Sequence, residues 1–178
     1  MINKLRIGAA GAAIAAAMGM SSAAFAQDNA TADATAEVLQ ALTLVEDGTV
    51  LDFGSMVVTG AGTVTLDSAN SLDCTDASIV CSGTTSVTGF DISGGNAGLV
   101  VDISFTSASV NLVRQTTAGT LASDVIVLDS FTTSATGDQV TLDGGGAGSF
   151  TVGGTINFDG SEVPGIYDGT YNVSVAYN

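Results

Sequence analysis

Gly169-Thr-Tyr171-Asn-Val173-Ser-Val175-Ala-Tyr177-Asn178 is the most regular stretch of this chain. Tyr171, Val173, Val175 and Tyr177 alternate with Thr170, Asn172, Ser174 and Ala176. A period of two over eight residues describes a strand with one face in a core and one toward water. Working outward, the same texture recurs throughout. Short runs rich in Val and Thr, which favour strands, are separated by clusters such as Gly94-Gly95-Asn96, Asp143-Gly144-Gly145-Gly146 and Gly153-Gly154. Candidate strands are Glu37–Val45, Thr63–Leu66, Ser86–Ile92, Leu99–Phe105, Ser109–Val113, Asp124–Leu128, Gln139–Leu142, Ser149–Val152, Thr155–Phe158 and Gly169–Tyr177. No segment after the first 26 residues carries a helical period. The pattern predicts an all-β antiparallel sandwich. A mean hydropathy of +0.45 excludes disorder by composition despite the charge.

Residues 1–26 read as a secretory signal peptide. Lys4 and Arg6 precede an Ala-rich apolar run from Ile7 to Met18, and Ala24-Phe25-Ala26 is a small-x-small cleavage site. The run is too short for a transmembrane span, so no membrane insertion is expected after cleavage. Release into a periplasm, then the cell surface or the medium, follows. Cys74 and Cys81, the only cysteines, then pair most simply as one disulfide across a short loop. A redox centre would want CxxC spacing and a nearby base.

Composition excludes most catalytic machinery. The chain has no His and three basic residues against 18 acidic ones. Past the leader only Arg114 remains among the bases, a formal net charge of −17. Without His there is no Ser–His or Cys–His relay and no imidazole ligand. Without Lys there is no Schiff base or P-loop, and one arginine cannot neutralise a nucleic-acid backbone. An enzyme is therefore not expected, and no cofactor or metal site is assigned. Asp73, Asp76, Asp138 and Asp143 are the carboxylates to weigh for calcium, which takes six to eight oxygens, but no EF-hand or RTX repeat accompanies them.

The segment after the leader also alternates, with small residues. Ala30, Ala32, Ala34, Ala36 and Val38 share one face, and Thr31, Asp33, Thr35 and Glu37 the other. Such a run has β geometry but little apolar area with which to pin itself, so it is mobile until it pairs.

Ala34-Thr35-Ala36-Glu37-Val38, leading through Leu42-Thr43-Leu44 to Leu51-Asp52-Phe53-Gly54, resembles the opening of the DUF4402 family of exported bacterial proteins. Val152-Gly-Gly-Thr155-Ile-Asn-Phe158, with Gly165-Ile-Tyr167-Asp-Gly169 and the final strand, is similar to that family's close. The layout is also similar to chaperone–usher pilus subunits and spore-coat-U-like proteins. That resemblance implies an Ig-like (pilin-like) β-sandwich over 39–178 and an N-terminal extension, 27–38, serving as a donor strand. Ala30, Ala32, Ala34, Ala36 and Val38 would enter a neighbour's groove bordered by the strand bearing Tyr171, Val173, Val175 and Tyr177, a case of β-strand addition. Head-to-tail addition does not close, so it makes fibres. The implied partners are copies of the chain itself, with a periplasmic chaperone and an outer-membrane usher, and the implied role is a pilus- or fimbria-like filament in adhesion or biofilm. The alternative is a monomeric secreted module binding polysaccharide or calcium, its sandwich completed by its own extension. Like-charged subunits imply assembly that responds to ionic strength.

Overall fold

A computed structural model describes residues 29–115 and 121–178; residues 1–26, expected to be a signal peptide, lie outside the described residues. Among the described residues thirteen strands run in the order β1 (Thr43–Glu46), β2 (Ser55–Val58), β3 (Gly62–Leu66), β4 (Leu72–Asp73), β5 (Ile79–Ser82), β6 (Thr88–Ser93) and β7 (Val100–Phe105). They continue with β8 (Ser109–Arg114), β9 (Val125–Thr133), β10 (Gln139–Thr141), β11 (Gly148–Phe158), β12 (Tyr167–Asp168) and β13 (Val173–Tyr177). Every pairing is antiparallel. The fold is all-β.

The main sheet is built around β11. Its first half pairs with β6 and its second with β3, while β9, β8 and β12 follow in turn on its other side. Two smaller pieces complete the sandwich: the sheet β10-β7-β13 and the ribbon β2-β5. Each piece has its own core. Val101 and Ile103 of β7 pack with Ile92, Phe150 and Val152 of the main sheet, joined by Leu142. On the ribbon side, Phe53 and Ile79 meet Val64 and Leu66, Ile126 and Leu128, and Ile156 and Phe158. Tyr171 packs against both clusters.

The final alternation forms β13 as expected, although the strand covers only Val173–Tyr177, paired from Val173↔Phe105 to Tyr177↔Val101. Gly169–Asn172 lie outside it because the chain there crosses from the main sheet, where β12 pairs with β8, to the second layer. Two expectations are corrected. Gly153-Gly154 is no turn: β11 runs unbroken from Gly148 to Phe158. A Cβ on Gly153 would fall against the backbone of Asp67 and Ser68, and one on Gly154 would sit 2.9 Å from Leu128 Cδ1, so the glycines permit close neighbours. The strand begun near Asp124 does not stop at Leu128 but reaches Thr133. Its register slips by one residue opposite Gly153/Thr155, and Ser130 takes φ +49°. This bulge moves the inward face from Ile126 and Leu128 to Phe131. Strands β2, β4, β5 and β12 add to those the periodicity predicts.

Residues 29–42 form no strand or helix, and Val38 is 92% exposed. The chain enters the fold at Gln40. Its amide N–H donates to Asn96 Oδ1 at 2.7 Å, and its carbonyl accepts from the Tyr177 hydroxyl at 2.9 Å. The same hydroxyl accepts from the Asn96 N–H at 2.9 Å. Cys74 and Cys81 form the expected disulfide between β4 and β5.

Candidate functional site

A groove of about 770 Å³ opens over the ribbon-side core. Its floor is core itself: Leu112 of β8, Ile126 and Leu128 of β9, and Ile156 and Phe158 of β11. One wall is Leu51–Val58, which includes β2. The other is Glu162–Tyr171, which includes β12.

The walls share one property. Among the described residues strand β2 pairs only with β5, and β12 only with β8, so no ladder among those residues covers the edges they turn away from these partners. Unpaired strand edges over apolar floor are templates for another strand. Of the ten large apolar side chains exposed among the described residues, Val50, Val57, Val163 and Ile166 lie on this groove. Apolar exposure gathered at one feature, and not scattered singly, marks an interaction surface.

The second wall is a strap fastened at several points. The Val163 N–H donates to Ser123 O at 3.0 Å, and the Gln115 N–H to Ile166 O at 2.8 Å. The Tyr167 hydroxyl shares its proton between Val163 O at 2.6 Å and Ser123 O at 2.9 Å. Burial raises its pKa above the ordinary value of 10.0, with the nearby Arg114 guanidinium pulling the other way. Gly165 lies on the Arg114 side-chain stem, where a Cβ would come within 2.6 Å of Cδ. Beneath the strap, Arg114 Nε and Nη2 reach Asp124 Oδ1 at 2.7 and 2.6 Å. Asp124 is wholly buried. The sole arginine after residue 6 thus anchors a groove wall.

The residues expected to form the site are placed as follows. Tyr171 lines the groove. Val173, Val175 and Tyr177 sit in β13 and pack on the second cluster, where Tyr177 moors the chain at Gln40. Ala30, Ala32, Ala34, Ala36 and Val38 are exposed and outside any strand. Periodicity missed the strand Ser55–Val58 and the strap Glu162–Ile166 as walls, although the strings Leu51-Asp52-Phe53-Gly54 and Gly165-Ile-Tyr167-Asp-Gly169, which carry the family resemblance, lie in them.

The weighed carboxylates close local turns. Asp143 Oδ1 accepts from the Gly145 and Ala147 N–H groups, bonds that hold its pKa below the ordinary 3.8. Asp76 accepts from the Ser78 N–H, Asp73 from Thr75, and Asp138 from the Thr133 hydroxyl. Among the described residues no three Asp, Glu or Cys side chains converge as a cation site, and no helix is long and apolar enough to cross a membrane.

A family model described as "Domain of unknown function (DUF4402)" matches residues 42–177. No curated protein matches the chain.

Proposed function

The chain belongs to the DUF4402 family, and on that premise we propose that it is an exported structural subunit of a surface filament, assembled head to tail by strand addition. The observation carrying this reading is the groove: a core floor between two strand edges that lack partners. An inserted strand would satisfy both edges by main-chain hydrogen bonds and cover apolar surface that water otherwise wets.

The occupant proposed is the N-terminal extension of a second copy. Its described residues, 29–38, precede the anchored Gln40, carry no strand of their own and are exposed. Nine residues from Ala30 to Val38 span about 30 Å when extended, more than the eight residues of the Leu51–Val58 wall. Their alternation gives a dry face, Ala30 to Val38, and a wet one bearing Thr31, Asp33, Thr35 and Glu37. In this reading the leader at 1–26 directs export, and a chaperone and usher hold and order the subunits. No catalytic step is assigned.

A second reading, a monomeric secreted binding module, draws on the groove's volume, which falls within the range of small-molecule sites. Its apolar lining suits an extended apolar segment better than a polysaccharide.

The test is an SDS gel of sheared surface material, unboiled beside boiled, detected with an antibody to this chain. Strand-exchanged polymer gives a ladder that collapses on boiling and is lost on deletion of residues 30–38. Monomer in both lanes, with no filaments by electron microscopy, sinks the filament and favours the module.

A further inference from the structure

The chain is pinned at one exposed residue just before its first strand. Gln40 donates its amide N–H to Asn96 Oδ1, and its carbonyl accepts from the Tyr177 hydroxyl. Its side-chain nitrogen, turned toward the connection between β6 and β7, donates to Gly94 O at 3.1 Å and to Gly95 O at 3.2 Å. Four hydrogen bonds on one exposed side of the fold fix where the extension leaves it.

This mooring and the groove lie at opposite ends of the same segments. Strand β1 starts beside the mooring, with Thr43 paired to Ser93, and ends with Glu46 paired to Phe90; Glu46 and Phe90 both line the groove. The last segment measures the same span, from Tyr171 on the groove to Tyr177 at the mooring. By either route six residues of extended chain separate the two ends, about 20 Å. To fill its own groove, an extension leaving at Leu39 must reverse, then run back that distance. A two-residue turn and the return consume about eight of residues 29–39. About three remain for a wall eight residues long. In a neighbour's groove no return is needed, and all of 30–38 is available.

Resting on the strand-addition reading, we infer that the Gln40 mooring is a positioning device, which holds the extension out of reach of its own groove and so reserves it for a second copy. Without the mooring the first fixed residue is Thr43, about 10 Å from Glu46. The tether is then longer and the return shorter, so about nine residues reach the groove, enough to fill it at home. Gln40, Asn96 and Tyr177 thereby decide between a polymer and a self-filled monomer.

The test fixes the chain sparsely to a sensor surface by a C-terminal tag, so that copies cannot meet. Binding of a peptide of residues 28–39 is read by surface plasmon resonance. Wild type and a variant lacking residues 30–38 should bind equally, within about twofold, because a tether that cannot span two sites supplies almost no effective concentration. Gln40→Ala/Asn96→Ala/Tyr177→Phe, which removes the mooring, should bind about tenfold more weakly or worse, since a segment able to reach competes at roughly millimolar effective concentration. Deleting 30–38 from that variant should restore binding. A second variant keeps every mooring bond and inserts six Gly/Ser residues between Leu39 and Gln40, which supplies the missing reach; it should lose binding as well, whether or not the first variant folds. If deleting 30–38 strengthens binding to the otherwise wild-type chain, the groove is filled at home and the inference is overturned. Wild-type binding by the lengthened variant, or by a folded mooring variant, also overturns it and leaves the groove reading intact. If neither the wild type nor its deletion variant binds the peptide, the groove reading falls, and this inference with it.

Discussion

The ion pair under the strap gives the sharpest energetic test. Asp124 is 0% exposed, its Oδ1 takes two contacts from Arg114, and its Oδ2 has no hydrogen-bond partner among the described residues. Replacing Arg114 by Met keeps the stem on which Gly165 rests and removes the guanidinium. Asp124 is then a buried charge without its cation, which costs about 3–5 kcal/mol. For a domain of this size, where 1 kcal/mol moves Tm by about 2–4 °C, the midpoint should fall by about 6–20 °C. The double variant Arg114→Met/Asp124→Leu removes both charges and should recover most of the loss, since apolar replacements of buried pairs are often neutral. Differential scanning calorimetry and urea titration of wild type, both single variants and the double variant complete the cycle. Native-state hydrogen exchange then locates the effect: the Gln115 and Val163 amides, which bond to Ile166 O and Ser123 O, should exchange faster in Arg114→Met. If that variant lies within 1 kcal/mol of wild type, the pair is not buried as described and the strap does not depend on it.

Three further outcomes follow. Tyr177→Phe removes the hydroxyl that bridges Gln40 O and the Asn96 N–H; it should cost about 1 kcal/mol in a urea titration and raise exchange at the Asn96 amide. Cys74→Ala/Cys81→Ala should lower stability by about 2.5 kcal/mol, the loop-closure value for so short a loop, with a matching shift of the urea midpoint. Asp47, Asp143 and Asp159 have pKa values held below 3.8, Asp47 and Asp159 first by side-chain hydrogen bonds and Asp143 by backbone N–H groups. Their contribution is present above the unfolded value near 3.8 and is lost as pH falls through the lower folded values. Stability should therefore decline below pH 3.8, and Asp143→Asn should flatten that decline in acid titrations followed by circular dichroism.

Sequence periodicity revealed strands whose two faces meet different solvents. Val173–Tyr177 and Val100–Phe105 each bury one face, so their alternation survives in the text of the chain. It failed where geometry interrupts the period. The bulge at Ser130 flips the inward parity of β9, and Gly153-Gly154 looks like a turn because those residues lack side chains where neighbouring backbone passes close. Strands β2 and β5 are four residues each and pair only with one another, too short to show a period. The groove was the least legible feature. It depends on which strand edges are left over once all pairing is done, a property of the assembled sheets. The alternating Ala face of the extension was readable; the wall it is proposed to meet was not.

The crossing of residues 167–177 from one layer to the other also dictates when the fold can close. Strand β12 extends the main sheet at β8, Tyr171 wedges between both cores, and β13 covers β7. The Tyr177 hydroxyl then reaches back 137 positions to Gln40. A chain synthesised N-terminus first has therefore made β1 through β11 while still lacking one groove wall and the edge of its second layer. Contacts of such long sequence separation form late and slowly. Until β12 and β13 are in place, the ribbon-side core and the outer edge of β7 lack the cover these residues give them.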